Sequence, residues 1–349
     1  MSAHGETFAR EVSVVIAVRN GMPILPRCID HLRQQTCPPL EIIVVDDGSS
    51  DDTPAFLEHL QSEAGRPAVI FLRNPGKGPS AARNVGIERA RGELVAFTDA
   101  DCLPAADWLQ RLCETYALHA HEKTAGVGGG QISPPDECEF GRTVQVFLVA
   151  VGFLADYARE VASGSVREVP HNPSCNSLYR RDALLEEQGF LPGLFPGEDT
   201  DLDRRLAQQG WHLYFQPRAL VAHYRPRDVT ALRRMMRRYG WAQAVLVRLH
   251  GPFRLLHAVP AIMLAIIAFV LMGGARIPVR LLYVAGLSLL GACALFAARK
   301  VPVPAWPRFL WLLMITLYEW HRGFFAELLA PTGPRTGARN VETEIGNGT

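Results

Sequence analysis

The chain has 349 residues, room for one large core or two modest domains, with 48% hydrophobic residues and a formal net charge of +1. That charge balance argues against nucleic acid as a bulk electrostatic partner. Seven cysteines, at 28, 37, 102, 113, 138, 175 and 293, form no Cys-x-x-Cys and no zinc-type Cys/His spacing, so they read as reduced cytosolic thiols; the polar first 11 residues show no secretory signal.

The first 250 residues alternate between short branched apolar runs and helical patterns. Strands are predicted over Val12–Val18, 41–45, 68–72 and Leu94–Thr98, and helices over 24–35, Thr53–Ser62 and 80–90. Such alternation implies an α/β domain, Rossmann-like, with a mostly parallel sheet covered by helices on both faces. Ligands of open sheets bind beyond the carboxyl ends of the strands. The residues there are Arg19 and Asn20, then Asp46, Asp47, Gly48 and Ser49, then Asp99, Ala100 and Asp101. Alternate residues of an extended segment point the same way, so Asp99 and Asp101 can converge on one Mg²⁺ or Mn²⁺ ion that keeps positions open for substrate phosphates. Asp-x-Asp also serves as turn or helix-cap chemistry.

Composition shifts after residue 250. The runs 255–272 and 281–298 are almost continuously apolar, close to the roughly 20 residues of a bilayer-spanning helix. They predict a transmembrane hairpin within 251–300, with spans at about 255–273 and 280–298; buried core helices are the alternative. Arg233, Arg234, Arg237, Arg238, Arg248 and Arg254 precede the first span and Arg299, Lys300 and Arg308 follow the second, with Arg276 and Arg280 between. This distribution puts domain 1–250 on the cytoplasmic side of the cytoplasmic membrane. Segment 301–330 reads as an interfacial amphipathic helix or a third span, and 331–349 as a flexible tail. Arg225, Arg227, Arg233, Arg234, Arg237 and Arg238 either draw the catalytic face toward anionic membrane lipid or serve topology alone.

Five motifs in order, VSVVIAVRN at 12–20, IIVVDDGSS at 42–50, GPSAARNVG at 78–86, LVAFTDAD at 94–101 and GEDTDL at 197–202, resemble the signature of family 2 glycosyltransferases with the GT-A fold. The likeness covers about residues 10–245. It implies transfer of a sugar, with inversion, from a nucleotide diphosphate sugar, a UDP-sugar being favoured. By the same resemblance Asp47 meets the donor base, Ala17 and Arg19 line the nucleotide, and Arg83 and Asn84 lie beside the diphosphate. Asp99 and Asp101 bind Mn²⁺ or Mg²⁺, and His223 completes the metal shell. Asp199 is the general base, Glu198 shapes the acceptor or metal side, and Asn176, in the loop 172–181, receives the acceptor.

Each residue also has a plainer reading: a turn cap for Asp46 and Asp47, a solvated helix face for Arg83 and Asn84, and an N-cap for Asp199 ahead of a helix over 200–208. His223 can be structural, and 172–181 can be a backbone-capping loop. Processive members of the family carry Gln-x-x-Arg-Trp, whereas the nearest stretch here is Arg237, Arg238, Tyr239, Gly240 and Trp241. The resulting expectation is a membrane-attached, non-processive, metal-dependent enzyme that glycosylates a hydroxyl of a membrane-associated or lipid-linked glycan. A polyprenyl-phosphate sugar synthase and an inactive GT-A nucleotide-sugar-binding or scaffold protein are the alternatives.

Overall fold

The computed structural model describes residues 11–63, 65–74, 76–121, 123–151, 164–254, 257 and 303–330. They fall in two units, one containing the described residues from 11 to 137 and from 164 to 225, the other those from 138 to 151, from 226 to 257 and from 303 to 330.

The first unit begins as the sequence predicts. Strands β1 (Val12–Val18), β2 (Glu41–Asp46), β3 (Ala68–Arg73) and β4 (Leu94–Thr98) alternate with helices α1 (Ile24–Arg33), α2 (Thr53–Ser62) and α3 (Pro79–Arg89). The four strands pair in parallel in the order β3-β2-β1-β4. Alternate side chains enter different cores. Val12, Val14, Ile16, Ile42 and Val44 meet Leu25, Ile29 and Leu57 on one face, while Val15, Ile43 and Val45 meet Ala82 and Ile87 on the other. With both faces buried, these strands read as unbroken apolar runs, and each fully buried Val or Ile contributes about 1.5–3 kcal/mol.

Beyond β4 the sheet becomes mixed. The short strand β5 (Cys102–Pro104) leads to α4 (Trp108–Leu118), β6 (Thr124–Ile132), β7 (Arg167–Glu168), β8 (Asn176–Arg180), α6 (Arg181–Glu186), α7 (Glu198–Gln208) and β9 (His212–His223), with α5 (Glu139–Ala150) of the second unit interposed in the chain. The sheet continues β4-β8-β6-β9-β5, and β8 runs antiparallel to both β4 and β6. Strand β6 carries five central residues Gly-Val-Gly-Gly-Gly. A β-carbon on Gly129 would stand 2.1 Å from the Ala219 carbonyl oxygen, so close backbone approach, not β propensity, selects glycine here.

In the second unit, α8 (Val229–His250) and α9 (Trp306–Leu328) pack closely. A β-carbon on Gly240 would lie 1.8 Å from the Trp320 carbonyl oxygen, and one on Gly323 would lie 2.0 Å from that of Arg237. Glu319 of α9 is fully buried and accepts from Arg233 Nε at 2.7 Å and Arg237 Nε at 2.9 Å. Glu327 accepts from Trp241 Nε1 at 2.9 Å. Two arginines of the cluster, Arg233 and Arg237, thus neutralise a buried carboxylate. In the first unit Arg225 is likewise buried, donating to Glu137 and Gln131. The hairpin expected at about 255–273 and 280–298, and the tail 331–349, lie outside the described residues. Among the described residues no helix is long and apolar enough to cross a membrane, so α9 does not support a third span.

Candidate active site

The strand ends and the start of α7 converge on one buried cation. Arg83, on α3 and 1% exposed, donates from Nη2 to Asp99 Oδ1 and from Nη1 to Glu198 Oε1, both at 2.8 Å. Its guanidinium lies 5.6 Å from the Phe190 ring centre and 5.9 Å from that of Phe195. A single buried charge braces two carboxylates, and it is held above its ordinary range because Asp99 and Glu198 outweigh its own burial. Burial, and then the neighbouring Asp199, push the Glu198 carboxyl up to about 7 despite Arg83.

Helix α7 starts earlier than the sequence suggests. Gly197, at φ 97°, takes the left-handed N-cap position that suits glycine, so Glu198 and Asp199 lie in the first turn, at the positive end of the helix dipole. Asp199 accepts from the Ser174 N–H at 3.2 Å and the Thr200 N–H at 2.7 Å, and His171 Nε2 lies 4.0 Å from its Oδ1. Behind it, His171 Nδ1 is 2.8 Å from Asp203 Oδ2. Asp203 is fully buried and also accepts from the Asn172 N–H and the Tyr179 hydroxyl, each at 2.7 Å. Burial raises its carboxyl in spite of those donors.

On the other side, Asp101 Oδ1 lies 3.5 Å from His223 Nε2. The register explains the meeting, since Cys102 of β5 pairs directly with His223 of β9. Ligand atoms of Asp99, Asp101, Cys102 and His223 lie within 4.8 Å of one another, and so do those of Cys102, Cys175 and His223. Asp101 is held below the usual carboxylate range, burial being outweighed by His223 and Arg225. His223, against its own burial, is pushed up to about 10 by Asp101. Burial raises the Cys102 thiol, whereas a hydrogen bond from Cys102, followed by His223, brings Cys175 down to about 6. Two carboxylates and an imidazole at the end of a strand fit a divalent cation.

The model of the family described as glycosyl transferase family 2 matches residues 13–186. The chain belongs to this family. It is 34% identical over 215 residues to the pre-mycofactocin glycosyltransferase of Mycobacterium tuberculosis, which covers 61% of this chain and 43% of that relative. It is 24% identical over 255 residues to the Methanococcus voltae dolichyl N-acetyl-alpha-D-glucosaminyl phosphate 3-beta-D-2,3-diacetamido-2,3-dideoxy-beta-D-glucuronosyltransferase, covering 71% and 77%. The first of these matches spans less than half the relative's length. The Pyrobaculum calidifontis mannosyltransferase PcManGT, solved with GDP-Man and Mn2+, superposes with a TM-score of 0.62 at 20% identity, covering 91% of this chain and 88% of that one, and shares the fold.

The family signature thus brings Asp99, Asp101, Glu198, Asp199 and His223 to one region, and three other expected site residues have protein partners of their own. Arg83 donates from one terminal nitrogen to Asp99 and from the other to Glu198. Asn84 exchanges two hydrogen bonds with the backbone of Phe190, at 2.7 and 2.8 Å, and so braces that loop. Asn176 is fully buried and binds Trp108, Gly130 and Ala219 at 2.7 to 2.9 Å, which commits its amide to the sheet rather than to an acceptor. Asp46 caps its turn by accepting from the Ser49 N–H at 3.1 Å. Asp47 accepts from Asn74 at 2.8 Å and the Gly78 N–H at 3.0 Å, and burial raises its carboxyl. Ala17 is partly buried near the end of β1, with Arg19 exposed beyond it. Sequence reasoning passed over His171, Asp203, Cys102 and Cys175. The adjacency of Cys102 to Asp101 was a visible signal; the others depend on distant register.

Proposed function

We propose that the chain moves a sugar, with inversion, from a nucleotide diphosphate sugar to a hydroxyl of a lipid-linked acceptor, one residue per encounter. The observation that carries this reading is the convergence of the Asp99 and Asp101 pair with Glu198 and Asp199 around Arg83. Asp99, Asp101 and His223 would hold Mn²⁺ or Mg²⁺. When bound, the cation neutralises the departing diphosphate. Arg83 fixes the orientation of Asp99, and Ser174 with Thr200 fixes that of Asp199. Asp199, partly exposed at a helix N-terminus, takes the acceptor hydroxyl proton as the oxygen attacks. Asp47 and Arg19 would receive the nucleotide base, with UDP favoured.

Membrane attachment is part of the proposal. Leu310, Trp311, Met314, Leu317 and Tyr318 are exposed on α9, at the spacing of one helix face, with two aromatic residues of the kind favoured at a bilayer interface. The apolar runs at 255–272 and 281–298 support the same placement, with the catalytic unit facing the cytoplasm. A relative whose name puts its acceptor on a dolichyl phosphate supports a lipid-linked acceptor. The test is nucleotide release from a panel of UDP- and GDP-sugars, with Mn²⁺ or Mg²⁺ and polyprenyl-linked glycans in vesicles. Release is expected with one donor, only with cation, and faster with acceptor. Release at the full rate in excess chelator, or none from any donor, overturns the reading.

A further inference from the structure

Cys102, Cys175 and His223 come from three distant parts of the chain, yet their ligand atoms all lie within 4.8 Å of one another. Strand pairing builds the meeting. Cys102 stands opposite His223, and Cys175 immediately precedes Asn176, the partner of Thr98 at the end of β4. Both cysteines are buried, while the His223 side chain keeps 20% exposure, which leaves a way in. Tetrahedral zinc with sulfur at about 2.3 Å and nitrogen at about 2.0 Å sets its ligands roughly 3.5 Å apart, so the cluster closes by small side-chain rotations. Mn²⁺ and Mg²⁺ prefer oxygen and have no use for two sulfurs, whereas thiolate with imidazole is a zinc-class donor set.

We propose that Cys102, Cys175 and His223 form a second cation site, selective for a soft ion of the Zn²⁺ class, whose fourth position is filled by Asp101 or water. Two S–H bonds break, two metal–sulfur bonds form, and both protons pass to solvent; no electrons are exchanged. A ligated His223 binds through one nitrogen and carries its proton on the other, so a metal on Nε2 displaces Arg225 from its 3.3 Å contact with Nδ1. Because His223 and Asp101 are also assigned to the Mn²⁺ site under Proposed function, occupation by zinc withdraws them from it and inhibits transfer. The sulfur site itself stands without that assignment.

The full chain, stripped of metal, is titrated with Co²⁺ alone as a spectroscopic stand-in for zinc. One ion per chain is expected to bring near-ultraviolet sulfur-to-cobalt charge transfer and strong tetrahedral visible bands, all removed by Zn²⁺. Cys175→Ser and Cys102→Ser should each weaken the charge-transfer band, and Cys113→Ser, on α4 and outside the ligand group, should leave it unchanged. If Cys102→Ser fails to fold, the wild type and Cys175→Ser decide. Cobalt bound without a charge-transfer band, or a band undiminished by Cys175→Ser, overturns the proposal. Mn²⁺-promoted binding of UDP or GDP, measured on the same samples, separates the two readings: its presence without the sulfur band sinks only the soft-ion site, and its absence beside the band sinks only the donor reading.

Discussion

The two carboxylate pairs of the first unit share a plan and differ in backing. In each pair one member is tied to Arg83, Asp99 on one side and Glu198 on the other. The other member faces a histidine, Asp101 with His223 at 3.5 Å and Asp199 with His171 at 4.0 Å. His171 is anchored from behind by the buried Asp203, a fixed support suited to aiming a base. His223 instead faces two thiols and Arg225, a support that can rearrange around a cation. The arginine therefore fixes the inner pair, and the histidines set how the outer pair behaves.

The largest expected effect falls on the outer residue assigned to proton transfer. Asp199→Asn should lower turnover by about 10² to 10⁴ while leaving nucleotide affinity nearly intact; unchanged single-turnover rates would return Asp199 to a helix-start role. Arg83→Met tests the brace. It leaves the buried Glu198, and the partly exposed Asp99 beside it, without their counter-charge, and denaturant melts should show a loss of about 3–5 kcal/mol. Adding Glu198→Gln should recover part of it, and a loss below about 1 kcal/mol would break the comparison at its centre. His171→Gln should cut kcat on the order of tenfold with KM little changed, since it orients Asp199 without touching substrate; an equal fall for Asp203→Asn would tie the two together.

A further effect is one of pH, through Glu198. A carboxyl raised from 4.5 to about 7 in the folded chain stabilises fully below its unfolded value, and that contribution is lost as pH rises through about 7. Metal-free protein should thus lose up to about 3 kcal/mol between pH 4.5 and 7 through this group. Glu198→Gln should flatten that part of the stability profile, and an unaltered slope would assign it to other groups.

How much was legible follows the distance over which information had to travel. The parallel half was readable because strands buried on both faces spell continuous Val and Ile runs, and Asp99, Asp101, Glu198 and Asp199 sit in local motifs. Strand β6 was hidden because its glycines answer to Ala219 and Asn172, residues fixed only when the sheet closes. The same holds for roles. Arg83 was found, but its partner Glu198 is 115 residues away, and Asn84 is tied to Phe190 across 106. Cys102, Cys175 and His223 show no zinc-type spacing because tertiary register, not helix or loop geometry, assembles them.

The buried Glu319 imposes an order of assembly on the second unit. Arg233 precedes it by 86 residues and Arg237 by 82, so on the ribosome both arginines emerge well before their counter-ion exists. Closing so long a loop costs little more entropy than closing one half its length, but it cannot happen until α9 has been made. Until then both guanidinium groups are free of Glu319 and can be drawn to any anionic surface nearby. Docking of α9 ends that period and brings Gly240 against Trp320.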